Sequence, residues 1–308
     1  MNRLTTSLRK NAKLYWKNRF FFLLFLPAIA HYIIFKYIPI YGVTIAFKDY
    51  IIKRGIMGSP WVGLENFRLL FMGDSFMEVV RNTVLISIYQ TIIAFPMPII
   101  FAIMLNEVYN SKLKKTIQTI SYLPHFLSWV VLAGIFIEVL SPSRGPINMI
   151  ITSLGFKPIY FLGDPKWFRT TLVGTYIWQG MGWGSIVYLA GLTSIDPSLY
   201  EAATVDGAGR FKKIWHITIP GIVPIITIMF IFAMGKIIKD DFDQVLNLYN
   251  PAVYSVGDVI STYVYRSGLV NLKYSFAAAA DLFKNVIAFV MVVGTNYITR
   301  KINDYGLW

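Results

Sequence analysis

The chain has 308 residues, of which 56% are hydrophobic and 15% charged, and its mean hydropathy is +0.54. Soluble domains carry about 25% charged residues and disordered chains lack apolar surface, so both classes are excluded. The formal net charge of +13 reads, in so apolar a chain, as basic anchoring at anionic lipid rather than nucleic-acid binding.

Cysteine is absent, which removes disulfides, thiolate metal sites and cysteine nucleophiles together. The three histidines, His31, His125 and His216, are far apart and outside any HExxH pattern. The expectation is no catalytic residue and no metal site.

Residues 1–19 hold six Lys and Arg and no acid, and a nearly continuous apolar run follows from Phe20 to about Phe47. Ala28-Ile29-Ala30 has the small-x-small look of a signal cleavage site. The run continues well past it, as an uncleaved span of ~20 residues requires. Five more spans are expected at about 81–105, 119–140, 170–192, 217–236 and 279–299, the second kinked by Pro96 and Pro98. Six spans put both termini on one side. The basic arm and Lys112, Lys114 and Lys115 place that side in the cytoplasm. The expected organisation is a basic cytoplasmic arm, 1–19, and one all-α polytopic membrane domain, 20–308, with external segments at about 48–80, 141–169 and 237–278.

Between spans four and five, Asp196 is a plausible N-cap with Pro197 at the first helical position. Glu201-Ala202-Ala203 then lies in a short helix that Asp206-Gly207 ends, and a second helical stretch presents Phe211, Ile214 and Trp215 before Pro220. On physics alone this helix–turn–helix is equally an interfacial loop and a docking element. Its spacing goes further. Glu201-Ala202-Ala203, Gly207, Ile217 and Ile219-Pro220 closely resemble the EAA loop of binding-protein-dependent ABC importer permeases, with Ile219 where that pattern has Leu.

The resemblance implies the type I importer permease architecture, with a coupling loop at about 194–220. In it Glu201 makes polar contacts with an ATP-binding subunit, Ala202 and Ala203 allow close approach, and Asp206-Gly207 makes the turn. Arg81-Asn82-Thr83 and Gly145-Pro146-Ile147-Asn148 look like parts of the same permease core. Ile38-Pro39-Ile40-Tyr41-Gly42, Tyr122-Leu123-Pro124-His125-Phe126 and Asn247-Leu248-Tyr249-Asn250-Pro251 resemble the polysaccharide and complex-oligosaccharide subgroup. The partners so implied are a second, non-identical permease, two ATP-binding subunits or a homodimeric ATPase, and an extracytoplasmic sugar-binding protein. ATP and Mg belong to the ATPase, since this chain has no GxxxxGK[ST] loop. The implied location is a bacterial cell membrane, multi-pass.

Gln179, Trp178, Trp183 and Tyr188 on span four are candidates for a substrate path: flat rings for sugars and an amide for hydroxyls. Packing against lipid or helices is the commoner use of each aromatic. Gly180 and Gly184 are expected to let another helix approach. Asp240, Asp241 and Asp243 are candidates for contact with the binding protein. Two other classes compete: a polytopic enzyme acting on lipid-linked sugars, which needs an acid or histidine cluster at one face, and a proton-coupled secondary transporter, which needs buried ionisable residues. Neither needs a docking loop for an ATPase.

Overall fold

The computed structural model describes residues 18–235 and 241–303. Among them the secondary structure is helical, apart from one bridge between Lys48 and Trp61. Most of the basic arm and Asp240 lie outside the described residues.

Helix α1, Arg19–Tyr32, has Ala28–Ala30 within it and continues through Ile33–Tyr37 to Phe47. None of α1 is buried against the rest of the chain, whereas Tyr41–Phe47 packs on the last helix. Next come α2 (Glu65–Met72), α3 (Asp74–Tyr89) and α4 (Pro96–Asn106). They are followed by α5 (Ser111–Tyr122), α6 (Trp129–Val139), α7 (Pro146–Ser153) and α8 (Pro165–Leu192). The loop contributes α9 (Pro197–Val205) and α10 (Arg210–Lys213), leading into α11 (Ile219–Gly235). Finally α12 (Phe242–Leu248) and α13 (Ile260–Tyr265) precede α14 (Tyr274–Asn303).

Prolines shape three of the long helices in one way. Wide π-turns at Ile33–Tyr37, Gln90–Ala94 and Ile214–Thr218 each end two residues before a proline: Pro39, Pro96 and Pro220. The residue between donates back five positions, as Phe95 N–H does to the Gln90 carbonyl at 3.0 Å. Proline has no N–H and crowds the carbonyl four residues earlier, and the extra residue in the turn relieves both. The expected kink at Pro96 is therefore a widened turn, and α3–α4 remains one span, Ser75–Asn106.

Among the described residues, four helical stretches are long and apolar enough to cross a membrane: Arg19–Phe47, Ser75–Asn106, Arg210–Met234 and Tyr274–Ile298. Two of the six expected spans do not stand among these four. Span three, expected as 119–140, is a broken pair, Ser111–Phe126 and Trp129–Val139, bent by 107°. Pro124 and the extended Leu127–Ser128 step interrupt it, and Ser128 restarts the helix by capping Val131 N–H. Span four is the 28-residue α8, which is long enough but less apolar, being rich in Gly, Thr, Trp and Tyr. It packs on α4, α5, α11 and α12, so protein rather than lipid surrounds most of it.

Of the glycine pair expected to admit another helix, one member does so: a Cβ on Gly184 would lie 3.1 Å from Pro98 Cγ on α4. Gly180 has open space where a side chain would begin. A tighter contact, against backbone, is at Gly182, where a Cβ would collide with the Ser121 carbonyl.

The segment expected as a long external loop at 237–278 is also different. From Asp241 onward it forms helices that fill the core. Val245, Leu248, Val253 and Val259 are buried with Ile86, Ala133, Phe168 and Leu172; Ile260 and Tyr263 are buried with Leu70, Phe76, Val79 and Ala280.

Candidate functional site

The loop between α8 and α11 is built by local rules. Asp196 accepts the Ser198 N–H at 2.9 Å, which caps α9 and holds its own carboxyl below the ordinary value. At the other end Gly207 takes φ +75°, and the amides of Gly207 and Ala208 close back on the carbonyls of Thr204 (3.1 Å) and Ala203 (2.8 Å). This is the Schellman arrangement, in which a glycine carries the positive φ.

Two side-chain bridges tie α9 to the base of span five: Tyr200 Oη to Thr218 Oγ1 at 3.0 Å and Lys213 Nζ to Thr204 Oγ1 at 2.7 Å. A Cβ on Gly221 would lie only 2.7 Å from Ile195 Cδ1, so α11 also presses on the chain just ahead of α9. The sequence reading missed Tyr200, Thr204, Lys213 and Thr218, because their pairing crosses the turn. The second helical stretch and span five are continuous across Pro220, running through the π-turn as one helix, Arg210–Met234.

The loop's outer surface is uncovered. No residue of α9 is buried, and Glu201 and Ala202 are exposed. Ala203 and Ile217 are half-buried, and Asp206, Gly207 and Pro220 are exposed. Large apolar side chains stand out from it: Leu199, Val205, Phe211 and Trp215. A short rigid helix with exposed small and apolar residues, anchored to a membrane helix, can transmit a push as a rigid body.

On α8, Gln179 and Trp183 are four residues apart and share a face. Gln179 is half-buried and Trp183 is 42% exposed. His125 stacks on Trp183 with ring centroids 4.8 Å apart and planes within 4°, and Phe126 stands at 81° to it. Trp178 is on a different face, about 100° from Gln179, with its ring edge-on to Phe136. Tyr188 is not with them; it is buried among Ala102, Leu192 and Ile222, between spans two, four and five. Asp241 and Asp243 sit at the start of α12, where the helix dipole favours acids, and Gln244 beside them is fully buried, donating to the Leu172 carbonyl and Thr175 Oγ1.

The motif residues hold long-range joints. Asn82 Nδ2 donates to the Ser255 and Asp258 carbonyls at 3.1 and 3.3 Å, its Oδ1 accepts from Arg169 at 2.7 Å, and Thr83 Oγ1 accepts the Ile260 N–H at 2.9 Å. Buried Asp258 pairs with Arg266 and accepts from Thr262 Oγ1 at 2.8 Å. Asn148 bridges the Leu140, Ser141 and Ile159 carbonyls and accepts the Ile159 N–H, while Asn250 reaches the Leu162 carbonyl. Among the described residues, no group of three or more His, Asp or Glu is placed to hold a metal ion.

Comparison with known proteins agrees with this geometry. Protein LplB of Bacillus subtilis (strain 168) is 40% identical over 95% of this chain and 92% of its own length. The polygalacturonan/rhamnogalacturonan transport system permease protein YteP of the same organism is 37% identical over 95% and 91%. A chain from the crystal structure of a bacterial ABC transporter involved in the import of the acidic polysaccharide alginate superimposes with a TM-score of 0.89 at 40% identity, covering 96% of this chain and 99% of that one. A second structure shows the alginate transporter in complex with an alginate pentasaccharide-bound periplasmic protein and matches equally well. Residues 94–304 match the family described as binding-protein-dependent transport system inner membrane component, and the chain belongs to that family.

Proposed function

We propose that this chain is one of two permease subunits of an ABC importer that moves a poly- or oligosaccharide, handed over by an extracytoplasmic binding protein, into the cell. The observation that carries the reading is the exposed α9, capped at both ends and tied by Tyr200 and Lys213 to span five. Its substrate class rests on what the relatives' names state. ATP and Mg bind the separate ATPase, which is a pair of ATP-binding subunits or a homodimer, and the second permease is non-identical.

In this reading the chain is a single domain, 20–308, behind a cytoplasmic arm, 1–19. It crosses the bilayer six times, with α8 and the bent α5–α6 pair completing the count, and both termini are cytoplasmic. Glu201, Ala202, Ala203, Asp206, Gly207, Ile217 and Pro220 form the coupling element at 194–220. ATP binding moves the ATPase subunits, α9 follows as a rigid body, and the two bridges and the Gly221–Ile195 contact pass that movement to α11. Gln179 and Trp183 line the path, with Trp178 and Tyr188 beside and behind them, because an amide turned toward lipid costs several kcal/mol. Asp240, Asp241 and Asp243 remain the candidate contact with the binding protein.

The test is ATP hydrolysis by the complex in lipid, with and without glycan-loaded binding protein, for the native chain and Glu201→Lys. Stimulation lost in the variant supports the reading. Uptake that proceeds without ATP, or a native chain that recruits no ATPase, would overturn it in favour of a secondary transporter or a membrane enzyme.

A further inference from the structure

We propose that His125 is a positioning residue for glycan passage, holding Trp183 as a flat platform on which a sugar ring stacks; this rests on the importer reading above. His125 sits at the break between the two arms of the bent pair, in the Leu123–Phe126 turn, and the 107° bend brings it onto α8. Its ring lies parallel to Trp183 at 4.8 Å, and Phe126 stands across the pair at 81°. Two neighbouring rings from one turn thus fix the indole, which still leaves 42% of Trp183 exposed.

The exposed part of Trp183 lies on the face of α8 that carries Gln179. That helix also packs on α4, α5, α11 and α12, while the face with Trp183 stays open, Val187 and Ala190 being exposed along it, so it is available to a partner subunit or a passing solute. A fixed aromatic face flanked by an amide suits a pyranose ring: C–H groups lie on the indole and hydroxyls meet the amide. A freely rotating Trp183 would have to be ordered each time a ring arrived, which costs entropy, and His125 removes that cost in advance.

The experiment measures glycan imported per ATP hydrolysed, using the full complex in proteoliposomes with alginate pentasaccharide and a galacturonan pentasaccharide as probes. The variants are His125→Ala, His125→Phe, Trp183→Ala and the double Ala variant. Loss of an aromatic pair predicts a ratio lowered roughly two- to tenfold in His125→Ala, with ATPase stimulation by the loaded binding protein retained. His125→Phe, which keeps a flat ring, restores the ratio, and the double variant is no worse than Trp183→Ala alone. Equal ratios in native, His125→Ala and Trp183→Ala complexes overturn the proposal. So does a His125→Phe complex as defective as His125→Ala, or a double variant with additive losses. A native complex whose ATPase no loaded binding protein stimulates would instead sink the importer reading, and this proposal with it.

Discussion

Gly207 gives a perturbation whose size follows from its backbone alone. It sits at φ +75°, and a Cβ built there meets nothing within 4 Å, so a substitution is penalised only through its dihedral preference. Left-handed backbone costs a non-glycine residue about 1–2 kcal/mol, least for Asn and most for β-branched side chains. A penalty of that size lowers the ratio of formed to unformed turn by roughly 5- to 30-fold. Gly207→Asn, Gly207→Ala and Gly207→Val should therefore reduce stimulated ATP hydrolysis in that order, with Asn close to native and Val severely impaired. The assay is hydrolysis in proteoliposomes with loaded binding protein, on complexes shown by size exclusion to retain all subunits. A Val variant as active as Asn, or an Asn variant as defective as Val, would refute the role of the positive φ.

Other outcomes follow from the packing. Arg266→Leu should strip the partner from buried Asp258 and destabilise the complex by about 3–5 kcal/mol, lowering its thermal midpoint, whereas Asp258→Leu/Arg266→Leu should recover part of the loss. Gly182→Val should cost about 1–3 kcal/mol by overpacking against Ser121, while Gly180→Ala, with open space before it, should gain up to ~0.5–1 kcal/mol; melting of the two purified variants separates them. The depressed Asp196 carboxyl makes its cap fully present above the ordinary value of 3.8 and lost as pH falls through the lower folded value. The protection factor of the Ser198 amide, its exchange relative to the unstructured rate at each pH, should accordingly be constant at neutral pH and fall only in strong acid, and Asp196→Asn should remove that fall.

Composition and local pattern determined a large part of this protein. An apolar chain with a basic start can only be a membrane protein, and the caps of α9 were legible because Asp196-Pro197 and Gly207 act on their immediate neighbours. The coupling loop could be read for the same reason: its spacing is a local property. What tertiary structure decided is everything set by contacts between distant segments. The bent span three is received on α8 by Ser121 against Gly182 and His125 against Trp183, contacts that no local pattern announces. The core position of α12 depends on Leu172 and Thr175, which Gln244 reaches, and that of α13 on Thr83, all far away in the chain. Hydropathy counts residues against lipid, and it mistook 237–278 for a loop because those residues bury themselves against protein. Which face of α8 stays open was likewise fixed by its neighbours, for a helix surrounded by other helices needs no single apolar stripe.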